Sequence, residues 1–435
     1  MAKNQLGTSH MDIPALVSHE HIPHLVSHEQ TPHLASHEHI PSLASRSHTP
    51  DSGRHSMTVA SITLWHLALP LRFTFKTAQG QVQRRESLII EVTTTTGYTG
   101  YGEVVAFTDP FYTAETLSES KKILQTAWLP FFIGRTLSGP WACYDLLTDS
   151  RHLQYPMAWA GLENALLHAY YGEQGVSTID RLVPGHKKSE IAAGVVLGDM
   201  PISEVLTAVA TYVAAGCERI KLKLSPRDAI ARVKAVRDAF PHITLAGDAN
   251  GSFPLEQASD IIALNAYNLK SLEEPFQVAN GQTGCDVYGA LPKTLRTAIQ
   301  TPICFDESVQ SLAELQGMYE TGWLDLLNIK VGRLGGLRET LRCLAFCREK
   351  GIGFWIGSMV ESGVSKYMHV QLAAVSDTWM AGDLSSMSRY FERDIITTPI
   401  EFQQGYMPVT FGAGLGTTID TKQLQAYAVD CQCFT

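Results

Sequence analysis

The chain has 435 residues, of which 45% are hydrophobic and 18% are charged, and its formal net charge is −9 at pH 7. This length exceeds one typical domain, and the hydrophobic fraction is sufficient for a large core. The acidic balance gives no basic surface for nucleic acid, and no apolar run is long enough to span a membrane, so we expect neither partner. Because the N-terminus carries no hydrophobic signal segment, we expect a cytoplasmic protein.

Residues 1–56 are dominated by a tandem nine-residue repeat. Four units run from Ile13 to His48, each beginning with Ile-Pro or Thr-Pro, and ten of the 16 histidines lie in these 56 residues. A proline in every unit interrupts helices, and there is too little apolar surface for a core, so we predict a disordered extension. Clustered histidines are typical of metal-gathering tracts. The favoured interpretation is a non-catalytic extension, or translated upstream sequence with the true start at Met57.

Residues 57–190 change from strand patterns to helical patterns. Strands are predicted at Ile62–Leu69, Leu88–Thr95 and Tyr101–Val105. Apolar residues at helical spacing follow in Ala114–Phe132 and again in Ala158–Tyr171. This order predicts an α+β domain.

Residues 191–385 repeat a short apolar segment followed by a helical stretch. The intervals match a strand and a returning helix, which is typical of parallel strands joined by helices. We therefore predict the α/β class, as a modified TIM barrel with an N-terminal α+β capping domain. The eight candidate strands are Ile191–Leu197, Arg219–Leu224, Ile243–Gly247, Asn268–Leu272, Ile303–Phe305, Leu326–Ile329, Gly353–Ile356 and Trp379–Ala381.

Two lysines stand one residue apart in the second candidate strand. Lys221 and Lys223 point to the same side of a strand, and two neighbouring ammonium groups in a core disfavour each other's charge. An exposed edge strand whose lysines discourage aggregation would show the same pattern. The charged residues that end the later strands favour a functional pair instead.

Four later strands end in a carboxylate or a lysine. Asp248, Glu273 and Asp306 each follow an apolar run, and Lys330 follows the next one. A barrel gathers the carboxyl ends of its strands at one mouth, where active residues lie. Three carboxylates at close range need a divalent cation, and all-oxygen ligation suits Mg²⁺. The pattern predicts a magnesium site at the barrel mouth with lysines on either side.

Five short motifs, K-x-K, D-x-N, E-E-P, D-E-S and N-I-K-x-G-R-x-G-G, occur in this order along the barrel segment. Their order and intervals resemble the enolase superfamily, in the muconate-lactonizing-like branch that holds o-succinylbenzoate synthases and N-succinylamino acid racemases. The segments Gly100–Glu103, Asp109–Tyr112 and Gly382–Ser385 are similar to that group. The resemblance covers nearly everything from Met57 to the C-terminus.

The resemblance implies a magnesium-assisted reaction on a small carboxylate substrate. Asp248, Glu273 and Asp306 would be the metal ligands, and the first glutamate of the E-E-P motif is preferred over Glu274. Removing a proton next to a carboxylate creates an enediolate, whose additional negative charge a bound Mg²⁺ stabilises.

The lysines supply the predicted acid and base. Lys223 is the expected acid/base, because a neighbouring ammonium such as Lys221 and partial burial lower its pKa towards neutrality. Lys330, on the opposite side of the pocket, would protonate the other face or stabilise the enediolate as a cation. Asn250 would support the site by hydrogen bonding, although its Asn-Gly sequence is equally typical of a turn.

Two glycine-bearing loops are expected to contact the substrate. One follows Lys330, and the other follows the seventh strand and opens a helix whose amide groups would hold a carboxylate. The predicted substrate contacts are Gly335, Gly336, Ser358 and Met359.

Two further segments and one residue bear on the expected function. By resemblance, the loop Phe73–Gly80 closes over the barrel mouth, and residues 386–435 return to the capping domain. Val196 stands where racemase relatives are expected to carry a small polar substrate contact, which weakens the racemase interpretation.

Three functions are compatible with these observations. The first is a Mg²⁺-dependent o-succinylbenzoate synthase of menaquinone synthesis, and the second is an N-acylamino acid racemase on the same residues. The third is a catalytically silent metal-binding or scaffolding barrel, which the intact set of lysines and carboxylates disfavours. A homo-oligomer is expected in each case.

Deletion of residues 1–56 is expected to leave stability and turnover nearly unchanged, because the repeats contribute no core. Thermal melting and steady-state kinetics of the full-length and shortened chains test this expectation. A large loss of either property would show that the repeats dock on the folded part.

Overall fold

The computed structural model describes residues 55–76, 81–147, 150–279 and 281–435. The predicted nine-residue repeats lie outside these residues, and so do residues 77–80 of the predicted lid loop. His55 is described, and its ring nitrogen lies 3.0 Å from a carboxylate oxygen of Glu173. His55, just before the predicted boundary after residue 56, therefore contacts the folded part of the chain.

The N-terminal domain is an antiparallel sheet covered by helices. The chain enters it through a long β1, which pairs with β2, and β2 pairs with β3. A π-helical turn at Leu124–Trp128 joins α1 to α2, and a 3-10 turn at Ser150–Leu153 precedes α4. The elements are β1 (Met57–Lys76), β2 (Gln81–Thr94), β3 (Thr99–Val104), α1 (Leu117–Ile123), α2 (Leu129–Phe132), β4 (Thr136–Leu137), α3 (Ala142–Leu146), α4 (Pro156–Gly172) and α5 (Thr178–Leu182).

Helix α4 is buried over its whole length, because it lies between the sheet and the rest of the protein. Pro156 occupies its first turn, where the missing N–H costs no hydrogen bond. Glycines allow the sheet to approach the helix closely. A Cβ atom on Gly102 would lie 1.9 Å from the carbonyl oxygen of Gly161. This close contact holds the sheet against one face of α4, as expected for the predicted α+β domain.

In the described part of the barrel domain, seven parallel strands follow one another in sequence order, from β6 (Gly194–Leu197) to β12 (Gly353–Ile356). Parallel strands joined by helices present all their carboxyl ends at the same edge. The elements are β5 (Glu190–Ala192), β6 (Gly194–Leu197), α6 (Ile202–Ala214), β7 (Arg219–Lys223), α7 (Ala229–Ala239), β8 (Thr244–Asp248), α8 (Ala258–Ala263), β9 (Leu272–Glu273), α9 (Gly284–Ala290), α10 (Lys293–Ala298), β10 (Ile303–Phe305), α11 (Leu312–Glu320), β11 (Leu326–Ile329), α12 (Leu337–Lys350), β12 (Gly353–Ile356) and α13 (Gly363–Ala374).

The predicted eighth strand at Trp379–Ala381 is wrong. This stretch forms no strand, but the chain around it bridges the first and last strands of the sheet. The amide of Asp383 donates to the carbonyl of Ile356 in β12 at 3.1 Å, and that of Gly194 in β6 donates to Leu384 at 3.1 Å. The barrel is thus closed between β12 and β6 by a few backbone hydrogen bonds and not by a regular ladder of strand pairs.

The first and fourth predicted strands have different bounds in the structure. The segment Ile191–Leu197 is divided into β5, which pairs with a C-terminal strand, and β6 of the barrel. The fourth strand begins only at Leu272, and Asn268, its predicted first residue, adopts a left-handed conformation with φ of 49° that does not fit a strand.

The C-terminal segment returns to the N-terminal sheet. It contains β13 (Tyr406–Pro408), α14 (Thr421–Tyr427) and β14 (Ala428–Phe434). Strand β14 pairs antiparallel with β1, with Ile62 opposite Phe434. The buried apolar side chains of the sheet and of the barrel form one continuous cluster. Among the described residues, no helix is both long and apolar enough to cross a membrane.

Gly102→Ala is expected to lower the free energy of unfolding by about 3 kcal/mol, because the new methyl group would collide with a backbone oxygen that cannot rotate away. Chemical denaturation measures the change. Gly139→Ala is the matched control, since a Cβ at Gly139 meets no atom within 4 Å. Equal stability of the two variants would contradict the close contact between β3 and α4.

Candidate active site

Lys223 is anchored by two neighbours at the end of β7. Its partner in the register of the sheet is Asp248, and its Nζ lies 2.6 Å from Asp248 Oδ2 and 2.6 Å from Asn250 Oδ1. Asn250 has φ of 45°, and its side-chain amide donates to Glu307 at 3.2 Å. Asn250 therefore occupies a turn and also contacts Lys223, so the two sequence interpretations are compatible.

Lys221 lies deeper, among three carboxylates. Its Nζ is 2.7 Å from Asp383 Oδ2, 3.0 Å from Glu273 Oε2 and 3.1 Å from Asp248 Oδ2. Burial lowers the pKa of Lys221, but the three carboxylates outweigh burial and hold the pKa well above its ordinary value. Lys221 is therefore a permanent cation, and Asp248 lies in contact with both Lys221 and Lys223.

Asp383 was not predicted as a site residue, although it belongs to one of the segments that carry the family resemblance. Its Oδ1 accepts a hydrogen bond from Arg219 at 2.6 Å, and Asn328 donates to its Oδ2 at 3.1 Å. The Arg219 guanidinium lies 4.9 Å from the centre of the Trp355 ring. Asp383 thus connects Lys221 to the interior of the barrel. Its position depends on the irregular closing segment, which sequence patterns did not reveal.

Asp306 and Lys330 form the opposite side of the site. Lys330 Nζ lies 2.8 Å from Asp306 Oδ2, while Tyr112 donates to Asp306 Oδ1 at 2.8 Å and Arg333 contacts the same oxygen. Burial opposes ionisation of Asp306, but the cations hold its pKa below the usual range. Burial also opposes the charge of Lys330, yet Asp306 raises its pKa above the ordinary value. Both groups are charged at neutral pH.

Tyr112 and Arg333 were not predicted as site residues, although Tyr112 ends the segment Asp109–Tyr112 and Arg333 is the arginine of the N-I-K-x-G-R-x-G-G motif, both of which carry the family resemblance. Tyr112 comes from the loop before α1, and its ring centre lies 4.7 Å from Lys330 Nζ. A cation over an aromatic face is attracted by the ring electrons. Arg333 also donates to the Tyr112 hydroxyl at 3.2 Å. The N-terminal domain therefore contributes directly to the environment of Lys330.

The two adjacent glutamates after β9 have different surroundings. Glu273 faces Lys221, whereas Glu274 turns away with φ of 43°. Glu274 accepts hydrogen bonds from the amides of Asp306 and Ser308 at 2.8 and 2.9 Å. Glu274 thus holds the loop that presents Asp306, and only Glu273 faces the other strand-end carboxylates.

The carboxylates of Asp248, Glu273 and Asp306 are the candidate ligands of a metal ion. Asp248 and Glu273 are register partners on adjacent strands, and Asp306 follows the next strand. In the described part of the chain, no three Asp, Glu, His or Cys side chains converge as a ready metal site. Lys221 lies between the Asp248 and Glu273 carboxylates instead. The three all-oxygen side chains still match the ligand preference of Mg²⁺.

Charge balance supports the same fit. Burial raises the pKa of Glu273 to about 8; Lys221 lowers this pKa, while the nearby Asp248, Asp306 and Asp383 raise it. The protein by itself thus disfavours the ionised form of Glu273. A divalent cation has the charge and the ligand chemistry to stabilise that form.

A cavity opens above these charged groups. One wall is charged and the other is mostly apolar, with the N-terminal domain contributing to the apolar wall. Ser358 and Met359, which are predicted substrate contacts, line it. The charged lining residues are Lys221, Lys223, Asp248, Asp306, Glu307, Lys330 and Asp383, and the remaining ones are Val82, Phe107, Phe111, Tyr112, Val196, Asn250, Ser358, Met359, Val360 and Tyr390.

Gly335 and Gly336 are not brought to this cavity. Both have positive φ, of 85° and 108°, and a Cβ on Gly335 would lie 3.4 Å from the side chain of Pro156. Glu163 in α4 accepts hydrogen bonds from the amides that open α12, beginning with Leu337. These glycines allow the tight turn that fastens α12 to α4. The expected substrate contacts at Gly335 and Gly336 are therefore not supported.

Comparisons with known proteins identify a matching family and similar enzymes. Residues 204–423 match the family model for enolase C-terminal domain-like proteins. An o-succinylbenzoate synthase from Bacillus subtilis strain 168 is 35% identical over 377 residues, covering 87% of this chain and 98% of the relative. An N-succinylamino acid racemase from Thermus thermophilus is 34% identical over 363 residues, covering 83% and 94%.

A solved structure agrees with the fold. A member of the enolase superfamily from Listeria innocua superposes with a TM-score of 0.79 at 31% identity, covering 87% of this chain and 99% of that one. The chain therefore belongs to the enolase superfamily, in the group of enzymes that holds the o-succinylbenzoate synthases and N-succinylamino acid racemases.

Proposed function

We propose that the protein is a Mg²⁺-dependent o-succinylbenzoate synthase. This lyase would dehydrate 2-succinyl-6-hydroxy-2,4-cyclohexadiene-1-carboxylate in menaquinone biosynthesis. The observation that carries the proposal is the pair Lys223, at the end of β7, and Lys330, directly after β11, which line one cavity with carboxylates between them. Relatives named o-succinylbenzoate synthase that are 31–35% identical over most of the chain add support.

Lys223 is the proposed base. It would remove the proton next to the substrate carboxylate and deliver a proton to the departing hydroxyl, because a syn-elimination can use one group for both steps. Asp248 and Asn250 hold its Nζ in place. Fixed geometry of this kind lowers the entropic part of the barrier.

Lys330 is the proposed electrostatic partner. Asp306 and the Tyr112 ring favour its charged form, so it would stabilise negative charge developing on the substrate without transferring a proton. Mg²⁺ bound by Asp248, Glu273 and Asp306 would supply further positive charge to the substrate carboxylate. The apolar wall would exclude water and strengthen these interactions.

N-succinylamino acid racemisation is the second candidate. Two lysines on different strands of one cavity are suited to proton removal from one face and delivery to the other, and the Thermus thermophilus relative is named for this activity. Val196 lines the cavity and offers no polar contact to a substrate. A silent scaffold is the least supported function, because burying so many charged groups without a use is costly.

Mg²⁺ is expected to raise the melting temperature of the wild-type protein. An ion at 100 times its Kd would stabilise the fold by about 2.7 kcal/mol. Asp248→Asn, Glu273→Gln and Asp306→Asn should each lose this shift and reduce turnover by about a thousandfold or more. Asp238→Asn removes an exposed carboxylate paired with Lys234 and serves as the control. A variant that keeps both the shift and the turnover would be removed from the ligand set.

Lys223→Ala is expected to abolish dehydration, and Lys330→Arg should preserve part of it, because arginine keeps the charge. Racemisation should be lost in Lys330→Arg, since arginine cannot act as a base.

Isotope exchange separates the two lysines. Exchange of the α-hydrogen in deuterium oxide is followed for both enantiomers of an N-succinylamino acid in Lys223→Ala and Lys330→Ala. Opposite enantiomer preferences would support bases on opposite faces, and identical losses would contradict that geometry.

A further inference from the structure

One wall of the cavity is held in an unusual backbone conformation. Ser358, Met359 and Val360 follow β12 and line the cavity, and Val360 has φ of 58°. A β-branched residue rarely adopts this left-handed conformation, because its side chain collides with the backbone. The surrounding contacts must therefore impose it.

Glu361 makes those contacts. Its side chain is buried, and it accepts hydrogen bonds from the Met359 amide and from the Ser358 hydroxyl, the latter at 3.0 Å to each carboxylate oxygen. One carboxylate thus fixes both the backbone and a hydroxyl group of the segment that lines the cavity.

Helix α13 holds Glu361 in turn. Lys366 Nζ lies 3.3 Å from Glu361 Oε1 and 3.0 Å from Ser358 Oγ, and His369 Nδ1 lies 3.1 Å from Glu361 Oε1. Lys366 is 1% exposed and His369 is 2% exposed. Lys366 also lies 5.9 Å from the ring centre of Tyr390, another residue of the cavity wall. The charged pair therefore connects the wall to a buried helix.

We propose that Glu361, held by Lys366, is a positioning residue for the substrate site. It preorganises the strained turn at Ser358–Val360, so that substrate does not have to order this wall on binding. The inference rests on the proposed function for its kinetic consequences. Its structural consequence, the ordering of residues 357–362, can be measured without any substrate.

Glu361→Gln preserves shape but removes the charge that attracts Lys366. We expect KM to rise about tenfold while kcat changes less than about threefold, because a positioning defect weakens substrate binding more than the chemical step. Deuterium uptake by the peptide 357–362 should become faster. Lys366→Arg should keep the wild-type KM, and Lys366→Met should resemble Glu361→Gln.

Asp325→Asn is the matched control. Asp325 accepts a backbone amide hydrogen bond from Ile303 at 2.7 Å and pairs with Arg296 at 2.6 Å, but it precedes β11 at the opposite end of the barrel from the cavity. The Asp325→Asn variant should have a lower melting temperature and an unchanged KM. The proposal is overturned if Glu361→Gln leaves KM and exchange unchanged, or if Asp325→Asn raises KM to the same extent.

A double-mutant cycle tests the link to backbone strain. Glycine adopts a positive φ without penalty, so Val360→Gly should need less help from Glu361. The increase in KM caused by Glu361→Gln should therefore be smaller in the Val360→Gly background than in the wild type. Strict additivity would contradict the role in holding the strained turn. If the wild type turns over neither proposed substrate, the proposed function fails, and faster exchange in Glu361→Gln still decides this inference.

Discussion

The site depends on the requirement that charges removed from water be paired. At the carboxyl end of the parallel sheet, buried carboxylates alternate with buried cations, and each lysine of the site contacts at least one carboxylate. An unpaired charge at this depth would be very costly, so the ion pairs fix the side-chain positions. The order of parallel strands creates the constraint, because it brings Lys223, Asp248 and Glu273 to one level.

The same constraint separates the lysines into different roles. Lys221 is surrounded by carboxylates and remains a cation, whereas Lys223 contacts one carboxylate and one neutral amide. Lys330 contacts a carboxylate and the ring of Tyr112. Three identical side chains therefore meet three different electrostatic environments, which suits the different roles proposed for Lys223 and Lys330.

The N-terminal domain contributes side chains to the cavity and to the surroundings of Asp306 and Lys330. Tyr112 contacts Asp306, and Phe107, Phe111 and Val82 complete the apolar wall. The domain is joined to the barrel by the return of β14 to β1 and by Glu163 in α4, which accepts hydrogen bonds from the amides that open α12. The turn at Gly335 and Gly336 joins α12 to α4, so the glycines expected to touch substrate instead support the contact between the two domains.

The sequence by itself determined the fold class, the parallel strands and the identity of the strand-end lysines and carboxylates. These features are local, because periodicity and the chemistry at a strand end are visible in a few consecutive residues. Only the tertiary structure decided which groups meet across distant segments. Asp383 depends on an irregular closing segment, Tyr112 comes from another domain, and Glu361 acts through a helix behind the cavity wall. No local pattern encodes such contacts, since they arise from packing between elements that are far apart in the chain.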